Sequence, residues 1–146
     1  MKKVILMAYV ILGLVFVSQA QHTIGESYGG GTVFYVDSTG LHGLIAETQD
    51  QGKGSWDKAS ELIRDISNHS ETGKAFTDWR LPDMDELNEL FNNRAVIGGF
   101  EKDMYWSSSI KETGMNRYWG QRFVVGGQKG YGPKIARARV RAIRSF

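Results

Sequence analysis

Two short runs of β-branched, aromatic and aliphatic residues lie near the start of the chain, on either side of a turn. The first run is Thr32–Val36, the second is His42–Thr48, and Asp37-Ser38-Thr39-Gly40 separates them. Apolar runs joined by a short turn that contains Asp and Gly are typical of paired antiparallel strands. The pattern therefore predicts an N-terminal β-hairpin.

A helical period follows over residues 55–66. Apolar side chains recur there at spacings of three and four, which places them on one face of an amphipathic helix. These positions are Trp56, Ala59, Leu62, Ile63 and Ile66. Ser55 immediately precedes them and belongs to the residue types that favour the N-cap position. We expect the next residues, 67–78, to form a polar loop.

A second helix is predicted from residue 84 onward. Asp83, with Glu86 three residues later, is a capping-box pattern. The apolar face of this helix is formed by Met84, Leu87, Leu90 and Phe91. A metal cluster is the alternative interpretation of the acidic residues Asp83, Asp85, Glu86 and Glu89. Because the helix dipole stabilises acidic side chains in a first turn, we prefer the capping interpretation and expect no bound metal.

From residue 93 onward the signals are those of strands and loops. Met104–Ser109 and Tyr118–Val125 are candidate strands, and glycines at 126, 127 and 130 interrupt the connection that follows. Apolar and basic residues then alternate, which is the period of a half-buried strand. They are Arg137, Ala138, Arg139, Val140, Arg141 and Ala142. A hairpin, two helices and C-terminal antiparallel strands with long loops predict an α+β fold.

The first twenty residues have a different character. Lys2-Lys3 precedes an apolar run from Val4 to Val17, and Ser18-Gln19-Ala20 places small residues at the −3 and −1 positions before Gln21. This is the pattern of a secretory signal peptide. An uncleaved anchor is the alternative, but the run is shorter than the roughly 20 apolar residues of a transmembrane helix. We therefore expect residues 1–20 to be cleaved on export, which leaves a periplasmic, cell-surface or secreted protein without a membrane span.

Composition indicates that residues 21–146 form one globular domain. They contain no cysteine, which excludes disulfide scaffolds and thiolate metal sites. The chain has 18 basic and 16 acidic residues, and without Lys2 and Lys3 both numbers are 16. A domain without net charge is not expected to bind nucleic acid, which requires an excess of Lys and Arg. The side chains expected in its core include Phe34, Trp79, Leu81 and Trp106.

Charge is distributed unevenly along this domain. Residues 21–112 contain 8 basic and 16 acidic groups, whereas residues 113–146 contain 8 basic groups and no acidic group. One interpretation is internal compensation, with basic strand edges facing acidic helices. The other is a basic patch for an anionic ligand such as a sulfated or uronic-acid glycan.

The sequence shows no constellation of catalytic residues. His22, His42 and His69 are isolated, and a lone histidine lacks the neighbouring group that would orient it as a general base. The serines at 107–109 have no partnered base and are interpreted as the polar end of a strand. The glycines at 25–31 precede a strand rather than a helix, so they do not form a nucleotide-binding loop. We therefore expect no enzymatic activity and no cofactor.

Several motifs resemble those of the C-terminal domain family of bacterial collagen-like adhesins. They are Gly29–Ala46, Trp79-Arg80-Leu81-Pro82 with Glu86-Leu87, Tyr105–Ser109 and Val140–Arg144, and together they cover residues 25–146 in order. The resemblance implies a C-type-lectin-like fold of the formylglycine-generating-enzyme subgroup. The calcium-and-sugar tripeptides of animal lectins and the reactive cysteines of the generating enzymes are absent, so neither activity is implied.

The C-terminal part is also similar to variable proteins of diversity-generating retroelements, in which an error-prone reverse transcriptase rewrites codons of a ligand-binding face. The matching stretch is Ile110–Tyr131, within a candidate binding region 105–146. The candidate contacts are Ile110, Lys111, Asn116, Arg117, Tyr118, Trp119, Gln121, Arg122, Val124, Gln128 and Tyr131, with Arg137 at the margin. Aromatic and Arg side chains are typical of binding hot spots. Core packing is the alternative for Trp119 and Phe123, and we expect it for at least one of them.

These observations predict an exported, non-enzymatic binding protein. Its partner would be a cell-surface or matrix protein or a glycan, an anionic glycan included. The alternative is a structural or assembly subunit of a bacterial surface appendage. The ligand and the oligomeric state stay open at this point.

Overall fold

The computed structural model describes residues 19–112, 117–131 and 137–146, with the backbone alone at residues 111, 112, 130 and 131. The predicted signal peptide therefore lies, up to residue 18, outside the described residues. Within the described ranges, no helix has the length and apolar character needed to cross a bilayer.

Nine strands and three α-helices make up the described fold. In chain order they are β1 Ser27–Tyr28, β2 Gly31–Val36, β3 Gly43–Ala46, β4 Gly52–Gly54, α1 Trp56–Arg64, α2 Met84–Asn92, α3 Arg94–Ile97, β5 Met104–Glu112, β6 Arg117–Arg122, β7 Gln128–Tyr131, β8 Ala138–Val140 and β9 Ile143–Ser145. Short 3₁₀ turns at Ile66–Asn68 and Gly73–Ala75 follow α1. Helices and strands are mixed along the chain, which confirms the predicted α+β class.

The predicted N-terminal hairpin is confirmed by β2 and β3. They pair antiparallel in a four-stranded sheet of order β1-β2-β3-β9. In the turn between them, the Asp37 carboxylate accepts hydrogen bonds from the backbone N–H groups of Thr39 and Gly40. Turn chemistry that is local in sequence therefore sets this hairpin.

The second sheet has the order β4-β8-β5-β6-β7. Its β5–β6 pair is antiparallel, as expected for the C-terminal strands, and so are β6–β7 and β4–β8, but β8 is parallel to β5. Strand β8 lies on the side of β5 opposite β6 and does not pair with β7. Strands β4 and β7 were not predicted, because the intrinsic preference of their glycines is for turns over strands.

The alternating segment 137–142 does not form one continuous strand. Strand β8 ends at Val140, and β9 begins at Ile143 in the other sheet. The three apolar positions of the segment are fully buried, as the alternation predicted. Arg141 is also buried, which the alternation did not predict, because the chain passes from one sheet to the other at this residue.

Helix boundaries follow the predicted signals with two differences. At α2, the capping box of Asp83 and Glu86 is present with both of its hydrogen bonds. At α1, Ser55 occupies the N-cap position but its side chain makes no capping hydrogen bond. Ile66 was expected on the apolar face of α1, but the helix ends at Arg64 and Ile66 is exposed in the following 3₁₀ turn. Helix α3 was not predicted.

Two hydrophobic clusters form the core. Ala59 and Ile63 of α1 belong to the first, and Leu87 and Leu90 of α2 belong to the second. Neighbouring residues of one strand enter different clusters, such as Tyr105 and Trp106 in β5, because side chains alternate across a strand. The four side chains assigned to the core from the sequence are all buried, namely Phe34, Trp79, Leu81 and Trp106.

Candidate ligand-binding surface

Most of the candidate contacts lie on the antiparallel meander formed by β5, β6 and β7. Seven of the side chains that are exposed on it and in the turn after β6 are called the meander surface here: Ile110, Arg117, Arg122, Val124, Val125, Gln128 and Lys129. Tyr118 and Trp119 are half-buried. Asn116 and the side chains of Lys111 and Tyr131 lie outside the described residues. The exposed candidates that the structure describes thus lie on neighbouring strands of one sheet and in the turn after β6.

Tyr118 connects the meander to α1. Its ring stacks on Trp56 with 3.7 Å between centroids and 7° between planes. The Trp56 indole N–H in turn donates a hydrogen bond of 2.7 Å to the carbonyl of Ser107 in β5. Because both rings are held, the position of β6 relative to the first helix is fixed by side-chain contacts as well as by the sheet.

Gln121 is not a surface contact, contrary to the sequence-based expectation. Its side chain is completely buried, and its amide N–H groups donate to the Asn88 side chain at 2.9 Å and to the Gly126 carbonyl at 3.2 Å. Alternation along β6 turns this residue toward α2 instead of toward solvent. Gln121 therefore joins β6 to α2 and to the turn that follows.

The turn between β6 and β7 exposes Val124 and Val125 and is anchored by the buried Phe123. The strand expected over Tyr118–Val125 ends at Arg122 because Phe123 inserts into the second cluster, which confirms that one of Trp119 and Phe123 serves the core. Gly126 closes the turn at φ +74°, and a Cβ there would lie 2.6 Å from the Phe91 ring. Val125, which the sequence analysis did not select, is 72% exposed.

The basic C-terminal segment is neutralised in part by acidic residues far away in the sequence. Arg139 lies 3.3 Å from Asp50 and 3.2 Å from Asp103. Arg144 forms two hydrogen bonds with Asp78, at 2.7 and 3.0 Å. This agrees with internal compensation, except that the acidic partners lie in loops and not on helices.

Arg141 is the most buried of these cations, at 1% exposure. Its guanidinium lies 2.8 Å from Asp50 and donates to the backbone carbonyls of Glu47, Gly98 and Gly99. It also lies over the Phe100 ring, 4.0 Å from the centroid. The sequence analysis missed this role because the alternation of apolar and basic residues does not indicate hydrogen-bond acceptors that are far away in the sequence.

The pKa values of two carboxylates in these pairs, Asp78 and Asp103, are lowered. The hydrogen bond from Arg144 lowers the pKa of Asp78. Partial burial alone would raise the pKa of Asp103, but hydrogen bonds from Lys53 and from the Met104 N–H outweigh it and lower that pKa. Burial raises the pKa of Tyr105, whose hydroxyl donates to Asp50 at 2.9 Å. Both shifted carboxylates are therefore ionised partners of the C-terminal arginines.

The cations on the meander differ from those of β8 and β9. In the described part of the chain, no acidic side chain forms an ion pair with Arg117, Arg122 or Lys129. Arg137 donates one hydrogen bond, to the carbonyl of Lys53. The meander surface therefore combines cations with exposed apolar groups.

Two of the three histidines have partners that the sequence did not indicate. His22 Nδ1 lies 3.0 Å from Glu26. His69 is buried, with Nδ1 2.9 Å from Glu47 and Nε2 2.6 Å from the Ile63 carbonyl. Because both nitrogens of His69 face acceptors inside the core, this ring joins β3 to the end of α1.

The serine and acidic groups that were considered for chemistry have structural contacts. Ser107–Ser109 lie in the middle of β5, not at its end, and Ser107 donates to the Trp119 carbonyl at 2.9 Å. The acids Asp83 and Glu86 form the capping box, and Glu86 also pairs with Arg80 at 2.7 Å. Among the described residues there is no group of three or more metal-ligating side chains.

The fold described above is that of an α+β domain. A family model described as the Lcl C-terminal domain matches residues 33–144, which is well over half of the 146 residues. The chain therefore belongs to the Lcl C-terminal domain family, as the sequence motifs predicted. No curated protein sequence matches it.

Proposed function

We propose that the protein is an exported, non-enzymatic binding protein of the adhesin type that recognises a surface protein or a glycan through the meander surface. Membership of the Lcl C-terminal domain family supports the adhesin type. The single observation that carries the choice of surface is the division of the C-terminal cations. Arg139, Arg141 and Arg144 are used inside the domain, whereas Arg117 and Arg122 on the meander are exposed.

The composition of the meander surface suits recognition of another molecule. An exposed Val124-Val125 tip, held by the buried Phe123, offers apolar contact without a large ordering cost. Arg117 and Arg122 add directional hydrogen-bond donors, which are common in binding hot spots. A partner with carboxylate or sulfate groups beside an apolar area is the complementary chemistry, and an acidic glycan or an acidic protein surface carries it.

The same positions fit the proposal that a retroelement diversifies this protein on a C-type-lectin-like scaffold. Exposed residues in a turn and on strand surfaces change with little cost in folding free energy. A near-copy of the coding sequence for Ile110–Tyr131, next to a reverse-transcriptase gene, would support diversification. Sequencing that neighbourhood and finding neither the copy nor the gene would remove this part of the proposal.

The binding experiment compares two exposed arginines. Arg122→Gln removes a cation of the meander surface, and Arg64→Gln removes an exposed cation at the end of α1. Purified protein is applied to an array of acidic and neutral glycans and bacterial and host surface proteins, and each variant is melted. We expect Arg122→Gln to lose binding at least about tenfold, as for a hot spot, with an unchanged melting temperature, while Arg64→Gln binds normally. Equal binding by both variants would refute the assignment of this surface.

An assembly subunit is the second candidate function, and the position of β7 favours it. This strand is an edge of the second sheet, and unpaired strand edges are sites for pairing with another chain. Sedimentation velocity over a wide concentration range tests this candidate. Oligomers that form in the parent protein and are abolished by a proline substitution of Gln128, whose backbone N–H faces away from β6, would favour assembly. A monomer at all concentrations would argue against it.

A further inference from the structure

A concave site lies beside the first sheet, on strands that the meander does not include. Its volume is about 740 Å³, with Gln19 and Ala20 of the predicted signal peptide among the residues that line it. Small-molecule pockets have volumes of roughly 300–1,000 Å³. Its chemistry comes from five aromatic or imidazole side chains and one guanidinium: His22, Tyr28, His42, Phe76, Arg144 and Phe146. We call this cavity the aromatic groove.

Three rings form one wall of the aromatic groove. His22 stacks on Tyr28 with 3.9 Å between centroids, and Phe146 meets His22 edge to face at 4.8 Å. Tyr28 nevertheless stays 42% exposed. A flat, partly apolar ligand could therefore pack on rings that are already held in place, as aromatic contacts prefer.

Arg144 supplies a fixed cation in the same groove. Its guanidinium is held by two hydrogen bonds to Asp78 and one to the Gly29 carbonyl, and it lies 4.1 Å from the Phe76 ring centroid. Three of its five N–H groups are used in these bonds, so two remain for an acceptor. The side chain is thus pre-organised, and a ligand that meets it does not have to order it.

Hydrogen-bond donors in the lining select the ligand. No acidic residue lines the groove, but Asp78 pairs with Arg144 and Glu26 pairs with His22 from beside it. The preference for an acidic ligand therefore comes from the two unused N–H groups of Arg144, which can donate to a carboxylate. The rings and the cation together require a ligand that has both a ring with an apolar face and an acidic group.

We propose that the aromatic groove is a binding site for a six-membered ring that bears a carboxylate. Such a ring occurs as the uronic acid of a glycan or as an aromatic acid. This site is separate from the meander surface, so it stands or falls independently of the proposed function. Binding at both sites would let one domain contact two molecules.

The test uses pairs of small probes that differ in the carboxylate alone. Binding of D-glucuronate and D-glucose, and of benzoate and benzyl alcohol, is measured by saturation-transfer NMR on the exported protein. We expect each acid to bind more tightly than its neutral partner. Tighter binding of glucuronate would assign the site to a uronic acid, and tighter binding of benzoate would assign it to an aromatic acid.

Variants place the binding in the groove. We expect Tyr28→Ala to weaken binding of the preferred acid about 2- to 10-fold, the range that aromatic contact energies correspond to. Tyr35→Ala is the matched control, because Tyr35 is 43% exposed but does not line the groove. If melting shows that Tyr28→Ala does not fold, His42→Ala, at a second exposed lining residue, takes its place with the same expectation.

Four results would overturn the proposal. They are no binding of either acid, equal binding of acid and neutral partner, equal effects of the Tyr28 and Tyr35 substitutions, and loss of acid binding in Arg122→Gln. The last result would move the acid to the meander surface.

Discussion

Arg141 and Asp50 lie 2.8 Å apart, although 91 residues separate them in the chain. The pair is enclosed where the chain passes from β8 to β9, and Asp50 also accepts a hydrogen bond from the Tyr105 hydroxyl. One carboxylate thus joins the loop before β4, the central strand β5 and the last segment of the chain.

Arg141→Met should destabilise the domain by about 3–5 kcal/mol, the range for removing one partner of a buried ion pair. The carbonyls of Gly98 and Gly99 would lose their donor, while Asp50 would keep Arg139 and the Tyr105 hydroxyl. Urea unfolding followed by tryptophan fluorescence measures the effect, and Arg137→Met, at an exposed neighbour in sequence, is the control. A midpoint for Arg141→Met equal to that of the control would contradict the role assigned to the pair.

Trp79→Ala should cost about 3–5 kcal/mol, as large-to-small substitutions of buried aromatic residues do. Trp79 is buried in the first cluster, and its indole N–H donates to the Gly73 carbonyl at 2.9 Å. Thermal melting measures the loss, with exposed Tyr35→Ala as the comparison. Wild-type stability in the Trp79 variant would mean that the motif Trp79-Arg80-Leu81-Pro82 does not contribute to the stability of the fold.

Gly73→Ala should destabilise the fold by about 1–3 kcal/mol through overpacking. A Cβ at residue 73 would lie 2.1 Å from a carboxylate oxygen of Glu47, which is the partner of His69. Gly127→Ala is the control, because its nearest neighbour would be 3.9 Å away. Equal denaturation midpoints for the two alanine variants would show that the Glu47 site can move aside freely.

Gln121→Ala and Gln128→Ala form a matched pair on β6 and β7, where the two residues are cross-strand partners. Gln121→Ala should lower the free energy of unfolding by about 1–3 kcal/mol, because the Asn88 side chain loses its donor. Gln128→Ala, at an exposed position, should leave the free energy of unfolding within about 0.5 kcal/mol of that of the parent protein. Chemical denaturation measures both variants. A larger loss of stability in Gln128→Ala than in Gln121→Ala would contradict the buried position assigned to Gln121.

Stability should fall when the pH is lowered below about 4, because the paired carboxylates begin to bind protons there. The pKa of Asp78 is lowered by its hydrogen bond from Arg144. A folded pKa below the unfolded value stabilises the native state above the unfolded pKa, and this contribution is lost as the pH falls through the folded pKa. In calorimetric melting at constant ionic strength, the melting temperature should therefore fall steeply as the pH is lowered below about 4.

Asp78→Asn removes one of these titrating carboxylates and is the control for the loss of stability at low pH. The variant should be less stable than the parent protein at pH 7, and the difference should shrink toward pH 3. A difference that grows as the pH falls would reverse the sign of the assigned shift.

Signals that act within a few residues of the sequence were sufficient for much of the scaffold. The turn at Asp37–Gly40, the apolar spacing after Ser55 and the capping box at Asp83 each involve neighbours in the chain, and each marks the element that the structure contains. Glycine-rich β4 and β7 were missed because their strand conformation depends on partners in the sheet and not on their own propensity.

The candidate surface was only partly determined by the sequence. The stretch 110–131 could be selected from its aromatic, basic and glycine content, but which side chains face solvent could not. Gln121 and Gln128 are alike in type, yet one is buried against α2 and the other is exposed. That difference depends on where the helix packs across the sheet, which no local pattern encodes.

The sequence by itself therefore determined the family, the α+β class, the hairpin and the two main helices, because periodicity and capping are short-range properties of the chain. The tertiary structure alone decided that Arg139, Arg141 and Arg144 are neutralised by Asp50, Asp103 and Asp78, while Arg122 is left on the surface. Charges far apart in sequence pair only when strand order and loop packing bring them within a few ångströms, and Coulombic attraction depends on that distance.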